Sequence, residues 1–117
     1  MAQEWIAVDF DGTLAKRATR GIGEPINTMW ARVHRWRTQG YEVRIFTVRA
    51  HTAAGVAAVK QWLRDNGLPQ LEVTNVKAPG LIALWDDKAV RVQPDTGRVC
   101  STCDSSENVF RSHQADC

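Results

Sequence analysis

Residues 1–99 contain no cysteine; all three cysteines lie in the last eighteen residues. An odd number confined to one end does not make a disulfide-stapled core, and a reducing cytoplasm is the simplest compartment. Long apolar runs are missing too. No stretch approaches the roughly 20 residues that span a bilayer, so no membrane association is expected. Met1-Ala2-Gln3-Glu4 carries no basic start, and the apolar run after it is only strand length, so no secretory leader is expected. Charge of one sign is scarce: 15 Lys and Arg against 13 Asp and Glu leave a net +2, too little to name a partner. There is no internal repeat. Gly21-Ile22-Gly23-Glu24-Pro25 is not a dinucleotide fingerprint, because no strand directly precedes it. What remains is a chain of 117 residues, 44% apolar, enough for one small domain with a real core.

Short apolar runs alternate with helical patterns. Strands are expected at about 5–10, 42–47, 71–75 and 82–86, with a short fifth strand at Val90-Arg91-Val92 before the turn Pro94-Asp95-Thr96-Gly97. One helix should start with Pro25 in its first turn and end near Gln39, with Gly40 as its stop. A second, alanine-rich helix should run from about Thr52 to Asp65, with Val56, Val59, Trp62 and Leu63 inward. Strand–helix alternation implies an α/β fold with right-handed crossovers. The tryptophans fall at core spacing, and Arg32, Arg35 and Arg37 form the solvated face of the first helix.

Polar groups stand where the strands stop. Asp9-Phe10-Asp11-Gly12-Thr13 follows the first run, Thr47 the second, Lys77 the third, and Asp86-Asp87 the fourth. An open parallel sheet binds ligands outside the carboxyl ends of its strands. Two acidic pairs, a hydroxyl and a lysine gathered there could hold a divalent metal and a phosphate.

These four segments resemble the motifs of the haloacid dehalogenase (HAD) superfamily of phosphohydrolases. The resemblance spans roughly residues 5 to 93. It implies a Rossmann-like core of about five mainly parallel strands. Asp9 maps to the nucleophile and Asp11 to the acid/base residue. Gly12 maps to the turn beneath the phosphate. Thr47 and Lys77 map to the phosphate-binding hydroxyl and lysine. Asp9, the Asp11 carbonyl, Asp86 and Asp87 map to the ligands of Mg²⁺. Lys77 lies only nine positions before Asp86, so it must sit in a loop, not on a long helix as in many relatives. Arg49 could clamp a phosphate with its forked guanidinium, and Thr47-Val48-Arg49 resembles the Ser-Gly-Arg stretch of polynucleotide kinase phosphatase domains.

No cap domain is expected. Thr13 to Pro25 leaves only a loop, and Thr47 to Lys77 leaves one helix and one strand. The resemblance therefore implies a Mg²⁺-dependent phosphomonoester hydrolase with an open pocket, working through an aspartyl-phosphate. Its substrate would be a phosphorylated small molecule or nucleic-acid end. Arg49 and the cluster Lys16, Arg17 and Arg20 carry the alternative of a polynucleotide or nucleotide end phosphatase. A non-catalytic HAD-fold module that binds nucleic acid or protein is the alternative of another class; the intact Asp9, Asp11, Thr47, Lys77 and Asp86 argue against it. Residues 1–99 would form the core and 100–117 a polar tail. In that tail Cys100, Cys103, His113 and Cys117 have a spacing that could hold structural Zn²⁺. Free thiols are the favoured reading, because Cys117 ends the chain and few apolar residues surround the set.

Overall fold

Four short strands and two helices carry the fold in a computed structural model that describes residues 3–100. They are β1 (Trp5–Val8), α1 (Asn27–Thr38), β2 (Glu42–Phe46), α2 (Ala53–Asp65), β3 (Glu72–Thr74) and β4 (Leu81–Trp85). The strands pair in the order β3-β2-β1-β4, all parallel. β1 is therefore central, and all four of its residues are buried. The crossovers through α1 and α2 step across the sheet in one direction, and the right-handed rule then requires both helices on one face. Ile6, Val8, Val43, Ile45 and Val73 share one parity in the register and are buried. The opposite face of β2 is polar: Arg44 pairs with Glu42 at 2.7 Å, lies 3.7 Å from Glu72, and stacks its guanidinium 4.4 Å from the Trp5 ring. Neither helical crossover carries an inserted domain, so the sheet is capless as expected.

The helix ends follow local chemistry. Gly40 takes the left-handed conformation (φ 96°) just after α1, as its place predicts. Thr52 caps α2 by accepting the Gly55 N–H at 3.0 Å. Pro25, expected inside the first turn of α1, lies before it. Ala15 and Pro25 form an antiparallel bridge, and the Ile26 N–H donates to the Leu14 carbonyl at 2.7 Å. That pairing holds Pro25 in extended backbone and delays the helix to Asn27. Trp5, Trp36 and Trp62 are buried, whereas Trp30 and Trp85 are half-buried.

The chain divides into two compact units, Met1–Asp87 and Lys88–Cys117. The sheet has four strands, not five. Residues 90–92 turn back on their own neighbours: Val92 bridges Val99, Gln93 N–H donates to Arg98 O at 2.7 Å, and Cys100 N–H to Arg91 O at 2.8 Å. Those backbone groups are taken up locally in a hairpin. Among the described residues no helix is long and apolar enough to cross a membrane.

Candidate functional site

β1 and β4 bring the acidic pairs level through a slip in register. Trp5 pairs with Leu81, but Ile6 pairs with Ala83, so Ile82 is an extra residue on β4. Val8 then faces Trp85, and Asp9 and Asp86 each follow by one. Without the bulge Val8 would face Leu84, and Asp86 would overshoot by one residue, about 3.3 Å. Bulges next to sites re-aim side chains in this way. The Asp9 N–H donates to Trp85 O at 2.8 Å and locks the ends together.

One carboxylate oxygen from each of Asp9, Asp86 and Asp87 lies within 4.8 Å of the other two. A Mg²⁺ ion takes oxygens at about 2.1 Å, which puts neighbouring ligands about 3 Å apart and opposite ones about 4 Å apart. The three residues fit such an ion with small side-chain adjustments. Asp9 is pushed up to about 6, first by burial, then by its hydrogen bond with Asp87 and the charge of Asp86; the Phe10 N–H and the Thr13 hydroxyl act the other way. Asp87 is pulled down to about 2, chiefly by its hydrogen bond from Arg17, at 2.8 Å.

Thr13 is the polar hub of this corner, and the sequence suggests for it only a tight turn. It is buried, its hydroxyl lies 3.2 Å from both Asp9 Oδ2 and Asp87 Oδ1, and it accepts the Asp87 N–H at 3.0 Å. One hydroxyl proton serves two carboxylates, so it satisfies one at a time. Gly12 makes the corner possible. Its φ is 89°, and a Cβ there would sit 2.6 Å from Asp87 Oδ2 and 2.9 Å from Arg17 Nε. Gly12→Ala should therefore cost about 1–2 kcal/mol for left-handed backbone alone, and more for breaking the Arg17–Asp87 pair. Gly40→Ala, with φ 96° and open space around it, supplies the backbone cost by itself. Equal losses for the two variants in denaturant melts would show that the Gly12 contact carries no energy.

Asp11 stands apart from the three-carboxylate cluster and turns to Arg49. Arg49 Nε donates to Asp11 Oδ2 at 2.7 Å and Nη2 to Oδ1 at 2.8 Å. This fork holds the arginine's proton more tightly, raising it above its ordinary range. In this structure Arg49 thus grips the Asp11 carboxylate. Thr47 is 4% exposed, its N–H donates to Thr74 O at 2.9 Å, and its hydroxyl accepts the Arg49 N–H at 3.2 Å. Among the described residues that hydroxyl donates to none, so its proton is available to a further acceptor.

Lys77 is not brought to the carboxylates. It is exposed, and among the described residues it makes no hydrogen bond or ion pair, so its expected pairing with Asp9 is absent. The reason is topological. Only residues 75–80 carry the chain from the carboxyl end of β3 to the amino end of β4, where Gly80 O accepts the Trp5 N–H at 2.9 Å. Lys77 stands halfway along that return. Arg17, singled out in the sequence with Lys16 and Arg20, is the cation found instead, paired with Asp87 at 2.8 Å. Of the tail set, Cys100 is disulfide-bonded. Cys103, His113 and Cys117 lie outside the described residues.

No family model matches the chain. No curated protein matches it. Among solved structures it is similar to a conserved protein coded by a locus from Bacteroides thetaiotaomicron, with a TM-score of 0.60 and 24% identity over 80% of this chain and 84% of that one. At that identity the likeness is one of architecture: the chain is an α/β protein on a Rossmann-like parallel sheet.

Proposed function

We propose that this protein is a Mg²⁺-dependent phosphomonoester hydrolase of the HAD type. The observation that carries the proposal is the meeting of Asp9, Asp86 and Asp87 within 4.8 Å at the carboxyl ends of the adjacent strands β1 and β4. Asp9, Asp86 and Asp87 would hold the ion, which when bound neutralises the charge of a phosphate so that a carboxylate can approach it. Asp9 is the nucleophile: it is central, half-buried and, with a value of about 6, ionised at neutral pH. Its attack on phosphorus forms an aspartyl-phosphate, and Asp11, two residues on, gives the leaving oxygen its proton. Water then releases phosphate, with Asp11 taking the proton back. Thr47 donates to a phosphoryl oxygen. The capless sheet leaves the mouth open to a bulky phosphomonoester.

The purified protein should release phosphate from p-nitrophenyl phosphate when Mg²⁺ is present, lose that activity in EDTA, and regain it when Mg²⁺ is restored. No release, or release that EDTA leaves unchanged, would refute the proposal. A screen across nucleotides, sugar phosphates and phosphorylated oligonucleotides then ranks the natural substrate class.

A further inference from the structure

The fork of Arg49 is already occupied. Nε and Nη2 hold both oxygens of Asp11, and the second hydrogen of Nη2 reaches the Gly21 carbonyl at 3.1 Å. The arginine is also fixed from behind. Its N–H is held by the Thr47 hydroxyl at 3.2 Å. Its carbonyl lies against Gly55, where a Cβ would come within 1.9 Å of the Arg49 oxygen, so only glycine permits the approach. A bidentate guanidinium–carboxylate pair is directional as well as strong. It leaves Asp11 an acceptor of fixed orientation, which is what water activation needs.

We infer that Arg49 is a positioning residue for the second half of the reaction: it holds Asp11 as the base that activates water against the aspartyl-phosphate. The inference rests on the phosphatase proposal. In this step the water oxygen bonds to phosphorus and the bond from phosphorus to the Asp9 oxygen breaks. The water proton passes to an Asp11 oxygen, Asp9 departs as carboxylate, and inorganic phosphate leaves. The first half, with p-nitrophenolate as a leaving group that needs no proton, does not require the fork.

The two roles open to Arg49 have opposite kinetic signatures. kcat/KM reports the steps through aspartyl-phosphate formation, whereas kcat also includes its hydrolysis. For Arg49→Met and Arg49→Lys with p-nitrophenyl phosphate and Mg²⁺, kcat should fall tenfold or more, KM should fall by the same factor, and kcat/KM should hold. A burst of one p-nitrophenolate per enzyme should precede the slow steady state, and the acid-quenched protein should carry one phosphoryl group. Lysine, which keeps charge but cannot bridge both oxygens, should restore little. Should either variant fail to fold, as judged by its melting temperature, the other decides. A raised KM with lowered kcat/KM would make Arg49 a phosphate clamp and overturn the inference while the phosphatase proposal stood. An inactive wild-type protein would overturn both.

Discussion

Replacing Asp9 by asparagine is expected to cut turnover by about three orders of magnitude or more and, in metal-free protein, to raise stability. The first effect follows from removing the nucleophilic oxygen's charge while keeping its shape. The second follows from where that charge sits. Asp9 titrates near 6 in the fold against 3.8 for a free side chain. Between those values the folded protein holds more protons than the unfolded one, so stability falls as pH rises, and the full penalty is present above about 6. Asp87, at about 2, has the opposite sign: its contribution is present above 3.8 and is lost as pH falls toward 2. Together the pair favours the fold most near pH 4. The Asp9→Asn substitution removes the Asp9 penalty, which after discounting for partial solvent screening is about 1 kcal/mol at pH 7, or about 3–6 °C in melting temperature. Mg²⁺ should do the same for the wild type and less for the variant. Near-wild-type turnover by Asp9→Asn would sink the covalent mechanism; a lower melting temperature at pH 7 in EDTA would sink the electrostatic account.

The largest stability loss near the site is expected from Phe10→Ala. Phe10 lies between the two aspartates, is fully buried, and meets Trp62 of α2 edge-on, with ring centres 5.0 Å apart and planes at 87°. Its carbonyl accepts the N–H groups of Thr13, Leu14 and Ala15 at 3.2, 3.0 and 3.0 Å. The ring therefore pins to the core the turn that carries Asp9, Asp11 and Thr13. Truncation should cost about 3–5 kcal/mol, a large share of a total of about 5–15. Phe10→Leu, which keeps most of the volume, should cost less than about 1.5 kcal/mol. Equal denaturant midpoints for Phe10→Ala and wild type would show that the ring is not the anchor.

The parts of this site that the sequence displays are those tied to strand ends. Trp5-Ile6-Ala7-Val8 and Leu81 to Trp85 are apolar runs that each stop at a carboxylate pair, and β-strand periodicity carries both pairs to one end of the sheet. Three features escape that logic. The slip at Ile82 is invisible because Leu81-Ile82-Ala83-Leu84 is apolar throughout and offers no alternation to count. Lys77 misleads because three residues past a strand end can already be on the way back. The Arg49–Asp11 fork joins side chains 38 residues apart, and only their folded geometry pairs them. Pro25 is a fourth case: its ring suits a helix start equally well as the extended bridge it makes with Ala15.

The order β3-β2-β1-β4 sets when the site can come into being. β1 pairs first with β2, close behind it in the chain, but its other edge waits for β4. Thr13 and Asp87, which touch, are 74 residues apart. Closing a loop of that length costs about 4 kcal/mol of chain entropy, and such distant contacts slow folding. During synthesis, the nascent chain can assemble β1, β2 and β3 into a hydrophobic platform while Asp9 still lacks its acidic partners. Docking of β4 completes both the sheet and the carboxylate cluster in one event. An ion held there would act as a removable staple between the first strand and the last, so the rate at which the protein unfolds, and not only its melting temperature, should depend on free Mg²⁺.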